Sequence, residues 1–424
     1  MDRDRKKGML LGAIIGDALG TPLDGMSGGH IRAVFGEIAG YIDPEKGLKN
    51  RMERWKKPAL YSSLSQLMLL ASFPAAGRRG PELLPAVTME SFPALENSDF
   101  GIFRHPGSAI RDFLRKRGFK HGETGAPQDS PDTAPVIVVA PLAAEGPPRD
   151  LELLQTARAS ALTRNAHAVA GAVLVSKLLL LLSGVEGAGS PLAAAMRAAG
   201  ETVAAFKDKT AEIFDLGLNP DSLIEAAGDF LRVLPAAERA TSLDNAEKEI
   251  AEKTNPVLRS PVSRATVNHP LLVIPLAVCA LDIYCDIPEK APCAVASRGG
   301  AAAITGSLTG MLVGAAFGDS CIPEDLLRGL VNRKTVITCV EAIADGSVPA
   351  DMVSRFIEGE IPLTAKEAAE YHARLRHYTP RKKKAPKTRG DAERELSRHV
   401  VESWTKLDRA KWKKERERRN RSDE

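Results

Sequence analysis

Cysteine and aromatic residues are scarce in this sequence, and acidic residues are missing from two long stretches. The five cysteines are odd in number and form no C-x-x-C pair, so neither a disulfide framework nor a zinc site is indicated. No G-x-x-x-x-G-K-[ST] phosphate loop is present, and the eight histidines show no metal-ligand spacing. No Asp or Glu occurs at residues 55–81 or 290–318, which excludes carboxylate chemistry from those two stretches.

The remaining composition is that of an ordinary globular chain rich in helix-forming residues. Of the 424 residues, 44% are hydrophobic, 26% are charged and only 5% are aromatic. The basic and apolar start is similar to a signal peptide, but it reaches Asp17 early and lacks a small-residue cleavage site. The most apolar stretch, residues 167–184, contains Lys177 in its middle, which favours a buried helix over a membrane span. We therefore expect a cytoplasmic protein with no membrane span.

Apolar periodicity predicts an all-α fold, since no comparable series of alternating strands appears. The predicted helices lie at residues 7–19, 59–72, 151–162, 166–182, 191–206, 223–234, 271–283, 301–317 and 323–331. Clusters of Gly and Pro predict loops at residues 121–135, 145–150 and 183–191. The predicted organisation is a helical body at residues 1–370, a basic proline-containing linker at 371–390 and a basic amphipathic helical tail at 391–424, the end of which we expect to be disordered.

Two of the apolar helices carry glycine at every fourth residue. These glycines are Gly8, Gly12, Gly16 and Gly20 in the first helix and Gly306, Gly310, Gly314 and Gly318 in the second. Glycine destabilises a helix interior by roughly 0.5 to 1 kcal/mol relative to alanine. We therefore expect closer packing at each glycine stripe to offset this cost. Length argues against a membrane-pairing face, because the first run reaches Asp17 before the about 20 residues of a span. We predict two central helices whose backbones approach closely.

The residues beside the two stripes carry a family resemblance. GDALGTPLD at residues 16–24 resembles the G-D-A-x-G-x-P-x-E opening motif of the ADP-ribosylglycohydrolase family, and residues 306–327 are similar to its closing glycine helix and I-P segment. The resemblance covers residues 7–335 and implies a compact orthogonal helix bundle around a cleft that holds two magnesium ions. It also implies hydrolysis of the bond between ADP-ribose and a side chain or small acceptor, with Mg²⁺ orienting the ribose and a water.

The residues that would hold this metal are missing. The family's T-D-D-T segment corresponds to Ser62, Ser63, Leu64 and Ser65, and its G-G-D-x-D-T segment falls near Ser297, Arg298, Gly299 and Gly300. Asp24 stands in place of the family glutamate, but one carboxylate is a poor site for a cation that takes six oxygen ligands. The family's N-G-x-x-M-R-x-x-P-L and T-H segments have drifted to TAPVIVVAPL and Thr163-Arg164. We therefore predict that the Mg²⁺ site is lost and that no cofactor binds.

Several residues remain candidates for binding an ADP-ribose-like ligand, and each has a structural alternative. The candidates are Asp17, Asp24, Ser62, Ser63, Ser65, Ser297, Arg298, Gly299 and Gly300, and Asp24 is also a weak catalytic candidate. Asp17 has the alternative of a structural hydrogen-bonding residue. The three serines have the alternative of a tolerated helix surface. Arg298 either holds a pyrophosphate together with backbone N–H groups or is a solvated loop residue.

Three functions follow from these residues. The first is a pseudoenzyme, a catalytically degenerate homologue that binds a protein partner or an ADP-ribose-like ligand without hydrolysing it. The second is an atypical glycoside hydrolase that removes ADP-ribose or cleaves related N-glycosidic bonds, using Asp24 and a water held by Ser63. The third is a scaffold that binds nucleic acid or an anionic surface through the basic tail.

The tail differs in charge from the body. Residues 371–424 carry 19 Lys or Arg against 9 acidic residues, whereas the first 370 residues carry 39 against 45. The basic residues of the linker are Arg381, Lys382, Lys383, Lys384, Lys387 and Arg389. Asp391 can cap a following helix on which Leu396, Val400, Trp404 and Leu407 share one face. A charge run is typical of a solvated segment, but an apolar stripe with an aromatic residue favours docking to a partner or nucleic acid.

The tail hypothesis predicts a salt-sensitive interaction with polyanions. Truncation before Tyr378 is expected to abolish retention on heparin or duplex DNA, because the linker residues that neutralise phosphates are removed. Binding of the full chain is expected to weaken steeply with added salt, measured by elution on a gradient. Equal retention of the full and truncated chains at low salt would contradict the nucleic-acid hypothesis.

Overall fold

The structure is a computed structural model that describes residues 1–48, 51–75, 98–116, 127–145, 150–184, 190–238 and 240–377. Across these ranges the chain forms 18 α-helices and no β-strand. An isolated antiparallel bridge pairs Ser27 with Gly299. The prediction of an all-α fold is therefore confirmed. The candidate tail residues, Arg381, Lys382, Lys383, Lys384, Lys387, Arg389 and Trp404, lie outside the described residues.

The helices follow one another without a repeated unit. They are α1 (Arg3–Gly20), α2 (Gly28–Phe35), α3 (Glu45–Leu48), α4 (Ser63–Ala75), α5 (Ser108–Lys116), α6 (Ala134–Val139), α7 (Leu151–Ser160), α8 (Ala166–Ser183), α9 (Pro191–Asp208), α10 (Thr210–Asp215), α11 (Pro220–Val233), α12 (Leu243–Thr254), α13 (Pro270–Ile283), α14 (Ala291–Ala296), α15 (Ala302–Phe317), α16 (Glu324–Gly329), α17 (Arg333–Ala344) and α18 (Met352–His377). Several helices begin with a side-chain cap. Asp2, Asn165 and Ser190 each accept a hydrogen bond from a backbone N–H in the first turn of α1, α8 and α9, respectively.

The nine predicted helices are all present, with ends shifted by a few residues. They correspond to α1, α4, α7, α8, α9, α11, α13, α15 and α16. The longest helix, α18, was not predicted, because Pro362 interrupts its pattern and proline removes a helical hydrogen bond. This helix continues to His377, so the first seven residues of the predicted linker are helical.

Helices α1 and α15 run antiparallel with their glycine faces in contact. A Cβ atom built on Gly12 would lie 2.7 Å from the carbonyl carbon of Gly310, and one built on Gly306 would lie 2.5 Å from the carbonyl oxygen of Gly16. Real Cβ atoms essentially never come within 3.0 Å of such atoms. The prediction that the glycine stripes allow close backbone approach is therefore confirmed.

Helix α8 lies among the other helices of the body. It is the one helix in the described ranges that is long and apolar enough to cross a membrane, and most of it is buried inside the structure. Lys177, which interrupts its apolar sequence, pairs with Glu152 of α7 at 2.6 Å between Nζ and Oε1. Burial and this ion pair are those of a core helix, which supports the prediction of no membrane span.

The glycine contact makes a prediction about stability. Replacing Gly310 with leucine is expected to destabilise or unfold the body, since overpacking a tight contact typically costs about 1 to 3 kcal/mol or more and here the obstacle is backbone. Gly200→Leu in α9 is the matched control, because a Cβ there meets no atom within 4 Å. Thermal melts compare the two variants. An unchanged melting temperature for Gly310→Leu would contradict the close contact.

Candidate functional site

The candidate site lies where the end of α1 meets the starts of α4 and α15. A Cβ on Gly20 would overlap the backbone of Ala302, so the first turn of α15 rests directly on the last turn of α1. A 3₁₀ turn, Thr21–Leu23, follows α1 and leads to Asp24. The glycine contact thus brings together residues of the two motifs that carried the family resemblance.

Asp17 is fully buried and joins α1 to the start of α4. Its carboxylate accepts hydrogen bonds from the hydroxyls of Thr21 at 2.8 Å, Ser62 at 2.9 Å and Ser65 at 2.7 Å, and from the Ser62 backbone N–H at 2.9 Å. Burial raises the pKa of Asp17, while these hydrogen bonds act in the opposite direction. Asp17 therefore holds the end of α1 against the start of α4, and its carboxylate oxygens accept hydrogen bonds from groups of the protein.

The three candidate serines are buried. Their exposures are 6% for Ser62, 1% for Ser63 and 0% for Ser65, so the alternative of an exposed helix surface was wrong. Ser62 and Ser65 direct their hydroxyls at Asp17, and the Ser63 backbone N–H donates to the carbonyl oxygen of Arg104 at 2.7 Å. The pattern Y-S-S-L-S therefore supplies internal hydrogen bonds at the start of α4.

Asp24 is engaged on both carboxylate oxygens. Oδ1 accepts the backbone N–H of Ala303 at 2.9 Å, and Oδ2 accepts the ammonium of Lys56 at 3.0 Å. The N-cap residue of α15, Ala301, provides no side-chain cap. Asp24 therefore acts as a cap supplied from another part of the chain, and its charge is balanced by Lys56.

Arg298 is held in an ion-pair cluster. Its guanidinium donates to the carboxylates of Asp244 and Glu247, both on α12, and its side chain is only 9% exposed. Burial alone would lower the pKa of Arg298, but hydrogen bonds and charges from these two acids raise it. The alternative of a solvated loop residue was wrong, and the guanidinium is already paired with two acids, while pyrophosphate binding stays a prediction.

The neighbours of Arg298 are also engaged. The hydroxyl of Ser297 donates to the carbonyl oxygen of Ala294 at 2.6 Å. Gly299 and Gly300 adopt φ values of +71° and +64°, which favour glycine. The N–H of Gly300 donates to the carbonyl oxygen of Met26 at 2.8 Å. The glycine pair therefore allows a tight crossing of two backbone segments, and the Gly300 N–H is not free for an anion.

These side chains do not fit a magnesium ion. Within the parts of the chain that the structure describes, no group of three or more His, Cys, Asp or Glu side chains lies where it could hold a metal. Both oxygens of Asp24 have protein donors, and Asp17 is surrounded by hydroxyl and N–H groups. The first residues of α15 are alanines. These residues therefore do not supply the set of oxygen ligands that Mg²⁺ takes.

A second group of polar residues joins the loops at the starts of α5, α6 and α13. Asp132 accepts hydrogen bonds from the hydroxyl of Ser108 and the amide of Asn268, both at 2.9 Å. Thr163 donates to the carbonyl oxygen of Ser130, also at 2.9 Å. The sequence analysis missed this group, although clustered Asp, Ser, Thr and Asn at loop ends are the signal that could have identified it.

A cleft of about 550 Å³ lies beside Arg298. Its lining includes Ser297 and Arg298 but not Asp24 or the three serines. The charged lining residues are balanced between Arg32, Lys290 and Arg298 on one side and Glu37, Asp244 and Glu289 on the other. The volume is within the range of about 300 to 1,000 Å³ typical of small-molecule pockets.

Helix α18 carries a buried polar network that the sequence analysis also missed. The carboxylate of Glu360 accepts hydrogen bonds from Tyr61 at 2.5 Å and Gln66 at 2.6 Å, and it pairs with Arg104 at 2.7 Å. The Arg104 and Glu360 side chains are 1% and 0% exposed. Removing one member of such a buried pair leaves the other charge uncompensated, so this network fixes α18 on α4.

Further along α18, Glu367 binds two segments next to the site. It accepts the Lys57 backbone N–H at 3.0 Å and pairs with His105 Nε2 at 2.9 Å. Burial acts to raise the pKa of Glu367, but the His105 hydrogen bond and charge, the Lys57 N–H and the Arg104 charge together lower it to about 2. The ionised form of Glu367 is therefore stabilised by folding.

Comparisons with known proteins find a family model and solved structures that are similar to this chain. A family model described as ADP-ribosylglycohydrolase matches residues 1–357. Among solved structures, one titled "ADP-ribosylglycohydrolase-related protein complex" is similar at 17% identity and a TM-score of 0.46, covering 81% of this chain and 98% of that chain. The comparison with curated proteins gives no match.

Glu367 makes a prediction about acid stability. Because folding lowers its pKa, ionised Glu367 stabilises the fold above about pH 4.5, and this contribution is lost as the pH falls towards 2. Glu367→Gln is expected to lower the free energy of unfolding at pH 7 by about 3 kcal/mol, with the difference from wild type shrinking below pH 4.5. Urea melts across pH 2 to 7 measure it, with exposed Glu358→Gln on the same helix as the control. A difference that does not change with pH would contradict this assignment.

Proposed function

The chain belongs to the ADP-ribosylglycohydrolase family, and from this membership we propose that it is a catalytically degenerate member, which binds a ligand or a protein partner without hydrolysing it. The observation that carries this proposal is the engagement of Asp24 and Asp17 by protein donors. Asp17 is surrounded by protein donors, and each oxygen of Asp24 already holds one, so a metal would have to share Asp24 with Lys56.

The energetic cost of losing the metal is large. Lewis-acid stabilisation by a bound cation is worth several kcal/mol, and that loss lowers a rate by on the order of 10³-fold or more. No carboxylate from the acid-free stretches at residues 55–81 and 290–318 replaces it. The alternative, an atypical hydrolase that uses Asp24, would have to work with a carboxylate that already caps α15 and pairs with Lys56.

The binding half of the proposal is supported by the cleft beside Arg298, which has the volume of a small-molecule pocket and is lined by Ser297 and Arg298. An ADP-ribose-like molecule is the ligand that family membership suggests. A cytoplasmic location is part of the proposal, because all five cysteines are free thiols, as suits a reducing compartment. Binding of nucleic acid through the basic tail stays a prediction.

The test measures turnover, metal binding and ligand binding on one preparation of the full chain. With an ADP-ribosylated peptide and Mg²⁺, we expect no release of ADP-ribose above the uncatalysed background. Calorimetric titration with Mg²⁺ is expected to show no tight binding, while titration with ADP-ribose tests the ligand. Mg²⁺-dependent turnover would contradict degeneracy, as would micromolar binding of two Mg²⁺ ions that is abolished by changing Ser63 or Ser297.

A further inference from the structure

The contact between Lys56 and Asp24 places an ammonium group of the chain at the candidate site. Nζ lies 3.0 Å from Oδ2, and the two side chains are only 19% and 30% exposed. The other oxygen of Asp24 is fixed by the Ala303 N–H. The ammonium therefore lies against the carboxylate that caps α15, partly shielded from water.

The residues on either side of Lys56 contact α18. The guanidinium of Arg374 lies 4.5 Å from the ring centre of buried Trp55. The backbone N–H of Lys57 donates to Glu367 at 3.0 Å, and its ammonium donates to Glu370 at 2.6 Å. All three of these partners on α18 lie beyond residue 357, where the family match ends.

The backbone at this point explains why neighbouring lysines point in different directions. Trp55 is extended, with φ −62° and ψ 134°, and neighbouring side chains of extended chain point in different directions. Trp55 and Lys57 contact α18, whereas Lys56 between them reaches Asp24.

We propose that the Lys56 ammonium is the built-in cation of this site, which neutralises Asp24 where relatives of this family would use a divalent metal ion, and that α18 positions it. The inference rests on the proposed function, since it takes the metal site as lost. It explains why a partly buried carboxylate is retained at residue 24: the carboxylate caps α15 and is balanced by a charge from within the chain.

The experiment asks whether removing Lys56 lets a metal ion approach Asp24. The probe is Tb³⁺ alone, titrated into the full chain and detected by luminescence sensitised by the adjacent Trp55. Lys56→Met is expected to bind Tb³⁺ about tenfold more tightly than wild type, because a neighbouring positive charge is removed and a negative one is left unpaired. Lys57→Met is the matched control, since the Lys57 ammonium contacts Glu370 instead.

Three further variants make the result specific. Lys56→Arg keeps the charge and is expected to titrate like wild type, and Asp24→Asn in the Lys56→Met background is expected to remove the gain. Glu367→Gln combined with Glu370→Gln is expected to give a smaller gain, because it loosens the positioning of Lys56. If Lys56→Met does not melt cooperatively, Lys56→Gln replaces it.

Equal Tb³⁺ affinity of Lys56→Met and Lys57→Met would overturn the inference, as would a gain that survives Asp24→Asn. These outcomes differ from the result that would refute the proposed function. That result is hydrolysis of the ADP-ribosylated peptide by the wild-type chain. A chain that hydrolyses the peptide in EDTA and still shows the Lys56→Met gain would support the built-in cation while refuting degeneracy.

Discussion

Direct backbone contact between α1 and α15 is the constraint on which the rest of the structure depends. Where Gly12 faces Gly310 and Gly16 faces Gly306, no side chain fits between the helices, so their separation is set by main-chain atoms. This contact fixes the end of α1 against the start of α15, and it therefore sets the distance between Asp24 and the Ala303 N–H. A single added Cβ would move both helices and the capped turn together.

Around this contact, the carboxylates are paired or hydrogen-bonded within the chain. A buried charge is tolerated only when it is paired or hydrogen-bonded, and each acid at the candidate site meets this requirement within the chain. Asp17 is satisfied by serine and threonine hydroxyls, and Asp24 by a helix N–H and Lys56. Glu247 is satisfied by Arg298 and Arg264. These partners leave little negative charge for an external cation to neutralise.

Sequence reasoning identified features that are local or periodic. The glycine stripes and nine helices follow from spacing along a few turns, and the structural alternative for Asp17 followed from the rule that buried polar groups are paired. The partners of Arg298 are more than 50 residues away on α12, and the pairing of Lys56 with Asp24 depends on the path of the intervening chain. Helix α18 was not predicted because Pro362 interrupts its helical sequence pattern.

Helix α18 shows that the structural unit is longer than the matched family segment. Glu360, which pairs with Arg104 in the core, and Glu367, Glu370 and Arg374, which hold the Trp55–Lys57 segment, all follow residue 357. A buried charge such as Arg104 requires its partner in every folded molecule, so the body is incomplete without this helix. Since the same helix holds the residues beside Lys56, the stability of the body and the charge at the candidate site depend on one element, and changes at α18 are expected to affect both together.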